Sequence, residues 1–255
     1  MNWNAFWAML AHDFHVARRD FVVLLLQTCL QPMMFVFVFG HVMVRSGYIP
    51  ETYKCVVLPG IMAITMLFTG IWTVAMPLIA EFGPANEIED RLLAPIAILA
   101  VAAEKVLLGT LHALVTGIMV IPAAWLILRP VQLNWDAPLA LASVMLLVSL
   151  LSASIGLTLG CSIHQRHIGI MFTMILPVIV FFGCTYYPWS ALTMFPVLQQ
   201  LLLVNPVLYA SEGLRGALIP QSPHLSLLAV SIALSVFDTL LLFIGFRQFC
   251  NKAVG

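Results

Sequence analysis

Charge is what this chain has least of. Lysine, arginine, aspartate and glutamate together make up 9% of its 255 residues, against about 25% in soluble domains. That shortage excludes an ordinary water-soluble globule. The two signs balance at a net charge of zero, so no basic field exists to hold nucleic acid. The five cysteines (Cys29, Cys55, Cys161, Cys184, Cys250) are scattered and form no disulfide or CxxC framework. A bridge between Cys55 and Cys184 is left open, because both fall near one face in the topology below. No Gly-Lys pair occurs, so a phosphate-binding Walker loop is excluded. HExxH, GxSxG and GxGxxG are equally absent, which removes the usual signatures of zinc hydrolases, serine hydrolases and dinucleotide enzymes. The N-terminus carries no secretory leader pattern: its first apolar run is too long and no small-residue cleavage site follows it.

What is abundant is apolar sequence, 62% of the chain, arranged in runs long enough to cross a bilayer. A crossing helix needs about 20 residues. The spacing predicts spans at residues 21–44, 55–79, 106–128, 139–163, 169–187 and 225–246. An amphipathic stretch, residues 1–20, precedes them, with Trp3, Phe6, Trp7, Leu10 and Phe14 near helical spacing. This predicts a helix lying in the membrane interface. With both termini inside, seven basic residues face the cytoplasm (Arg18, Arg19, Arg91, Lys105, Arg166, Arg247, Lys252) and four face outward (Arg45, Lys54, Arg129, Arg215). The excess of inside positive charge sets that orientation. The expectation is one all-α membrane domain, residues 1–255, with six transmembrane helices.

Two stretches depart from the spans. Residues 167–211 contain no Asp, Glu, Lys or Arg, yet Pro188, Pro196 and Pro206 cut them into pieces too short to cross. Asn205-Pro206 reads as an N-cap followed by proline at the first helical position, opening a helix to about Leu218. Residues 188–220 are therefore expected to form an outer re-entrant hairpin between spans five and six. Such backbone survives at membrane depth only when protein covers it or a wet cavity lies beside it. Glu212 and Arg215, three apart on the returning helix, can pair; a solvated pair at the outer rim is the other reading.

The second stretch is residues 80–105, where Glu81, Glu87, Glu89, Asp90, Arg91, Glu104 and Lys105 gather. This charge is expected to reach water. Asn86 is a candidate N-cap, and the carboxylates after it suit a first helical turn. Elsewhere, Gly109, Ala113 and Gly117, and likewise Ser152, Gly156 and Gly160, repeat every four residues and predict close helix contacts. Cys161, His164 and His167 are the one ligand-like group. Three-residue steps at 3.6 residues per turn do not converge on one ion from one helix, so no metal site is expected. Asp238 falls near the middle of the sixth span, where an acid must face the bundle. Both a proton relay and a packing role stay open for it. Met62, Met66, Met174, Phe181 and Phe182 are the weak candidates for a substrate path, since methionine and aromatic surfaces adapt to varied ligands; core or lipid-facing positions are the plainer reading.

Taken together, EFGPANEIEDRLLAPIAILAVAAEK after the second span and FFGCTYYPWSALTMFPVLQQLLLVNPVLYASEGLRGAL after the fifth resemble the membrane subunits of ABC-2-type exporters. The resemblance extends over essentially the whole chain. It implies a permease without its own ATPase, working as a dimer (a second copy of the chain being expected) with two separate ABC ATPase subunits that bind ATP and Mg²⁺. It also implies export of an amphipathic substrate (a drug, a lipid or a lipid-linked saccharide) across the bacterial inner membrane. By position, Glu81, Asn86, Glu87, Glu89, Arg91 and Leu92 would form the segment coupled to the ATPase. Residues 3–17 would be the connecting helix. Asn205, Pro206, Glu212 and Arg215 would belong to the outer gate. A proton-coupled transporter using Asp238 and a non-transporting scaffold are the alternatives.

Overall fold

The computed structural model describes residues 30, 33–34, 36–51, 53–83, 98–128, 134 and 137–254. Everything regular among them is helical. The expected interfacial helix, half of the first span and the coupling residues Asn86, Glu87, Glu89, Arg91 and Leu92 lie outside the described residues.

The helices are α1 (Val36–Val42 in wide π-type turns, continued by Met43–Arg45), α2 (Tyr53–Glu81), α3 (Ile98–Leu128) and α4 (Pro138–Ser162). A broken helix, α5, follows as Ile168–Ile170, Met171–Ile175 and Leu176–Phe181. Then come the short α6 (Pro196–Leu201), α7 (Pro206–Leu218) and the long α8 (Leu227–Val254). Four stretches are long and apolar enough to cross a membrane: Val56–Glu81, Ile98–Pro122, Pro138–Ser162 and Leu227–Ala253. At 1.5 Å per residue each exceeds the roughly 30 Å hydrocarbon core.

The bundle is organised around α2. Of its apolar window 78% is buried, against 17% for α8, which makes α2 the axis and α8 a peripheral helix. Both small-residue stripes face α2. A Cβ on Gly156 would lie 2.9 Å from the Val74 Cβ and 3.1 Å from the Ile71 Cα. One on Gly117 would meet the Met66 sulfur at 2.6 Å. The stripes thus serve packing within one chain, where van der Waals contact supplies the association that the hydrophobic effect cannot supply in lipid. The outer face of α8 leaves Leu228, Ile232, Val236, Leu240 and Phe243 exposed, as a surface against acyl chains requires.

The fifth span is shorter than the sequence predicts. Its helix ends at Phe181 rather than Tyr187, and the apolar segment Gln165–Phe181 is shorter than the four long helices. The reason is competition for its last carbonyls. A helix end leaves four of them without intrahelical partners, and here side chains from the following hairpin take them. Asn205 Nδ2 donates to the Ile179 carbonyl in the last turn at 2.7 Å, and just beyond the helix Ser211 Oγ donates to the Gly183 carbonyl at 2.6 Å. The chain then turns through Cys184, whose φ of 53° is left-handed, a conformation uncommon outside glycine. Cys184 is a buried free thiol, so the bridge to Cys55 is not made.

Candidate functional site

At the end of the bundle where α2 begins, the hairpin residues meet in one buried node. Asn205 caps α7 as expected: its side chain accepts from the Val207 N–H at 3.0 Å, and Pro206 follows at the first helical position. From Ala210 to Leu218 every residue of α7 is buried, packed among α2, α4 and α8. The hairpin's leading half is different. Met194, Phe195, Val197, Leu201 and Val204 are all exposed. Reciprocal bonds close that half, Trp189 Nε1 to the Gln199 carbonyl at 3.1 Å and Gln199 Nε2 to the Trp189 carbonyl at 3.2 Å.

Glu212 and Arg215 form the centre of the node. Their relative exposures are 1% and 0%, which rules out a solvated rim pair. Glu212 Oε1 accepts from Arg215 Nη1 and, at 3.0 Å, from the Trp189 backbone N–H; Oε2 accepts from the Leu225 N–H at 3.0 Å. Arg215 Nη2 donates to the Cys184 carbonyl at 3.1 Å and reaches toward that of Val56 at 3.5 Å. A buried charge is tolerable only when paired and hydrogen-bonded, and each oxygen of this carboxylate has a donor. One ion pair therefore ties four stretches together: the start of α2, the exit of α5, the first turn of the hairpin and the lead into α8. Tyr53 adds a bond from its hydroxyl to the Tyr186 carbonyl at 3.0 Å. Gly60 permits the contact: a Cβ there would lie 1.6 Å from the Thr185 carbonyl oxygen.

The opposite end carries the described flanks of the charged segment. Glu81 closes α2 and bonds Lys105 Nζ of α3 at 3.0 Å. Glu81, Glu104 and Lys105 are 4%, 1% and 4% exposed, so the expectation that this charge reaches water fails for the flanks. The cause is that α3 begins at Ile98, a turn or more before the predicted 106, and carries Glu104 and Lys105 into the bundle. Beside them Lys252 Nζ donates to the Cys161 carbonyl at 3.0 Å and lies 4.7 Å over the Phe82 ring.

The remaining candidates are not brought together. Met62 and Met66 are fully buried in the core, whereas Met174, Phe181 and Phe182 are exposed on α5 and just after it. These five do not line one surface of the chain. Cys161 is buried while His164 and His167 are exposed, and among the described residues no three potential ligands gather as a metal site would need. Asp238 is 2% exposed on α8, and neither carboxylate oxygen has a hydrogen-bond partner among the described residues.

Sequence reasoning paired Glu212 with Arg215 but missed the two backbone N–H groups that complete the node. They belong to loops 23 and 13 residues away, and no local pattern marks them. A family model described as ABC-2 type transporter matches residues 4–219. No curated protein matches the chain.

Proposed function

Because the chain belongs to the ABC-2 type transporter family, we propose that it is the permease subunit of an ATP-driven exporter. Two copies enclose the path of an amphipathic substrate, and two ABC ATPase subunits drive it from the cytoplasmic side of a bacterial inner membrane. The family match over residues 4–219 carries this reading. The geometry supports a way for the work to be transmitted. At one end of α2 stands Glu81, where the segment containing Asn86, Glu87, Glu89, Arg91 and Leu92 departs. At the other end are Tyr53 and Val56, both bonded to the hairpin region. A packed helix is stiff, so a pull on the charged elbow is delivered to the Glu212–Arg215 node and the hairpin acts as the outer gate. The ATPase must bind the two permease states with different affinity for its cycle to drive the change.

The test is the double substitution Glu87→Lys with Glu89→Lys. Membrane insertion stays at the wild-type level, while co-purification of the ATPase and export both fall at least tenfold, because a reversed charge at a contact acts against docking. Full export by this variant would refute the assignment.

Asp238 supports one other reading, a proton-coupled transporter, since an unpartnered intramembrane acid is a common relay element. Transport in ATP-free vesicles that collapses with the proton gradient would favour it.

A further inference from the structure

We propose that the pocket at the Glu81 end of the bundle binds the phosphate headgroup of an anionic phospholipid. The pocket has a volume of about 460 Å³ and opens where α2, α4 and α8 finish, within the usual range for ligand sites. Its walls are apolar, from Ile79, Phe82 and Ile163, and its rim is basic, from Arg166 and Lys252 with His164 between. Among the described residues no carboxylate lines it. Glu81, next to Phe82 in the chain, is turned to Lys105 and so does not cancel the rim.

The two cations are set differently. Lys252 is positioned in advance, its ammonium held between the Cys161 carbonyl and the Phe82 ring, with N–H capacity left for an anion. Arg166 stands in the exposed turn Gln165–His167 and makes no ion pair within the described residues. Its guanidinium fork suits two phosphate oxygens at once. A soluble anion would need only the rim. The walls formed by Ile79, Phe82 and Ile163 are apolar, so a ligand with an acyl chain attached to its phosphate matches both parts. Basic pockets between helices at this level are the places where anionic headgroups lodge. This inference does not depend on the exporter assignment, because it needs only the bundle and its membrane.

The experiment uses the full chain in nanodiscs holding spin-labelled phosphatidylglycerol or phosphatidylcholine, and reads the lipid immobilised by the protein. Wild type selects phosphatidylglycerol. Arg166→Gln and Lys252→Gln each cut the selection about fivefold, and the double variant about thirtyfold, from the typical worth of one cation near a membrane surface. Arg166→Lys, which keeps the charge but not the two-oxygen fork, retains only part of it, and Arg45→Gln, exposed at the other end, leaves it unchanged. Arg166 is on the surface, so its variants fold even if Lys252→Gln does not. Equal immobilisation of both lipids by wild type, or selection that survives loss of both cations, overturns the proposal. So does displacement by glycerol 3-phosphate at concentrations equal to the lipid, which would mark a site for soluble phosphate. An ATPase subunit that expels the lipid and needs Arg166 for its own binding would make the pocket a protein contact, and the proposal would fail.

Discussion

Replacing Arg215 with methionine fills nearly the same volume but leaves Glu212 as a buried carboxylate with only the Trp189 and Leu225 N–H groups as donors. Removing one partner of a buried ion pair costs about 3–5 kcal/mol. Glu212→Met is worse. It leaves Arg215 charged and buried, and also orphans both backbone N–H groups at about 1–3 kcal/mol each. The double variant Glu212→Met/Arg215→Met removes the uncompensated charge yet keeps the two orphan donors, so it retains a deficit of about 2–6 kcal/mol. The expected order places Glu212→Met as the most damaging of the three. Thermal unfolding in detergent reads the order. Amide exchange at Trp189 reads the mechanism: a local penalty of about 3–5 kcal/mol accelerates exchange roughly 10²- to 10⁴-fold. Were the pair solvated, each change would cost about 0–1 kcal/mol. Equal, small effects of the two single variants, with Trp189 exchange unchanged, would refute the node.

Asn205→Ala loses the cap on Val207 and the bond to the Ile179 carbonyl; a stability loss of about 1–3 kcal/mol is expected, measured by thermal unfolding. Gly60→Ala places a methyl against the Thr185 carbonyl oxygen, forces α2 away from the hairpin, and costs about 1–3 kcal/mol or more, visible in the same assay. Asp238→Leu removes an acid with no hydrogen-bond partner among the described residues, whose insertion costs about 2.5–3.5 kcal/mol; membrane insertion rises and, under the proposed exporter function, ATP-dependent export persists. Loss of export in that variant, with normal ATPase association, would instead favour the relay.

The local features of this protein were legible in its sequence because each depends on neighbours along the chain. The helix from Pro206 to Leu218 and its Asn205 cap involve residues one or two apart, so their chemistry is written consecutively. The four long crossings follow from the cost of unsatisfied backbone in lipid, which any sufficiently long apolar run answers by forming a helix. The small-residue stripes announced close contact, though not that both would face α2.

Tertiary structure alone decided where charge goes. Glu81 ends α2 while Lys105 lies about two turns inside α3, and their burial depended on α3 starting early enough to carry Lys105 inward. Glu212 is held by loops whose sequences bear no mark of it, and the fifth span ends where the Asn205 side chain, capping α7, reaches the Ile179 carbonyl. Composition and short-range spacing determine which segments become helices, because backbone hydrogen bonds within a helix close over four residues. Which polar groups can be buried depends on partners that only folding brings within about 3 Å, and that distance is unrelated to separation along the chain.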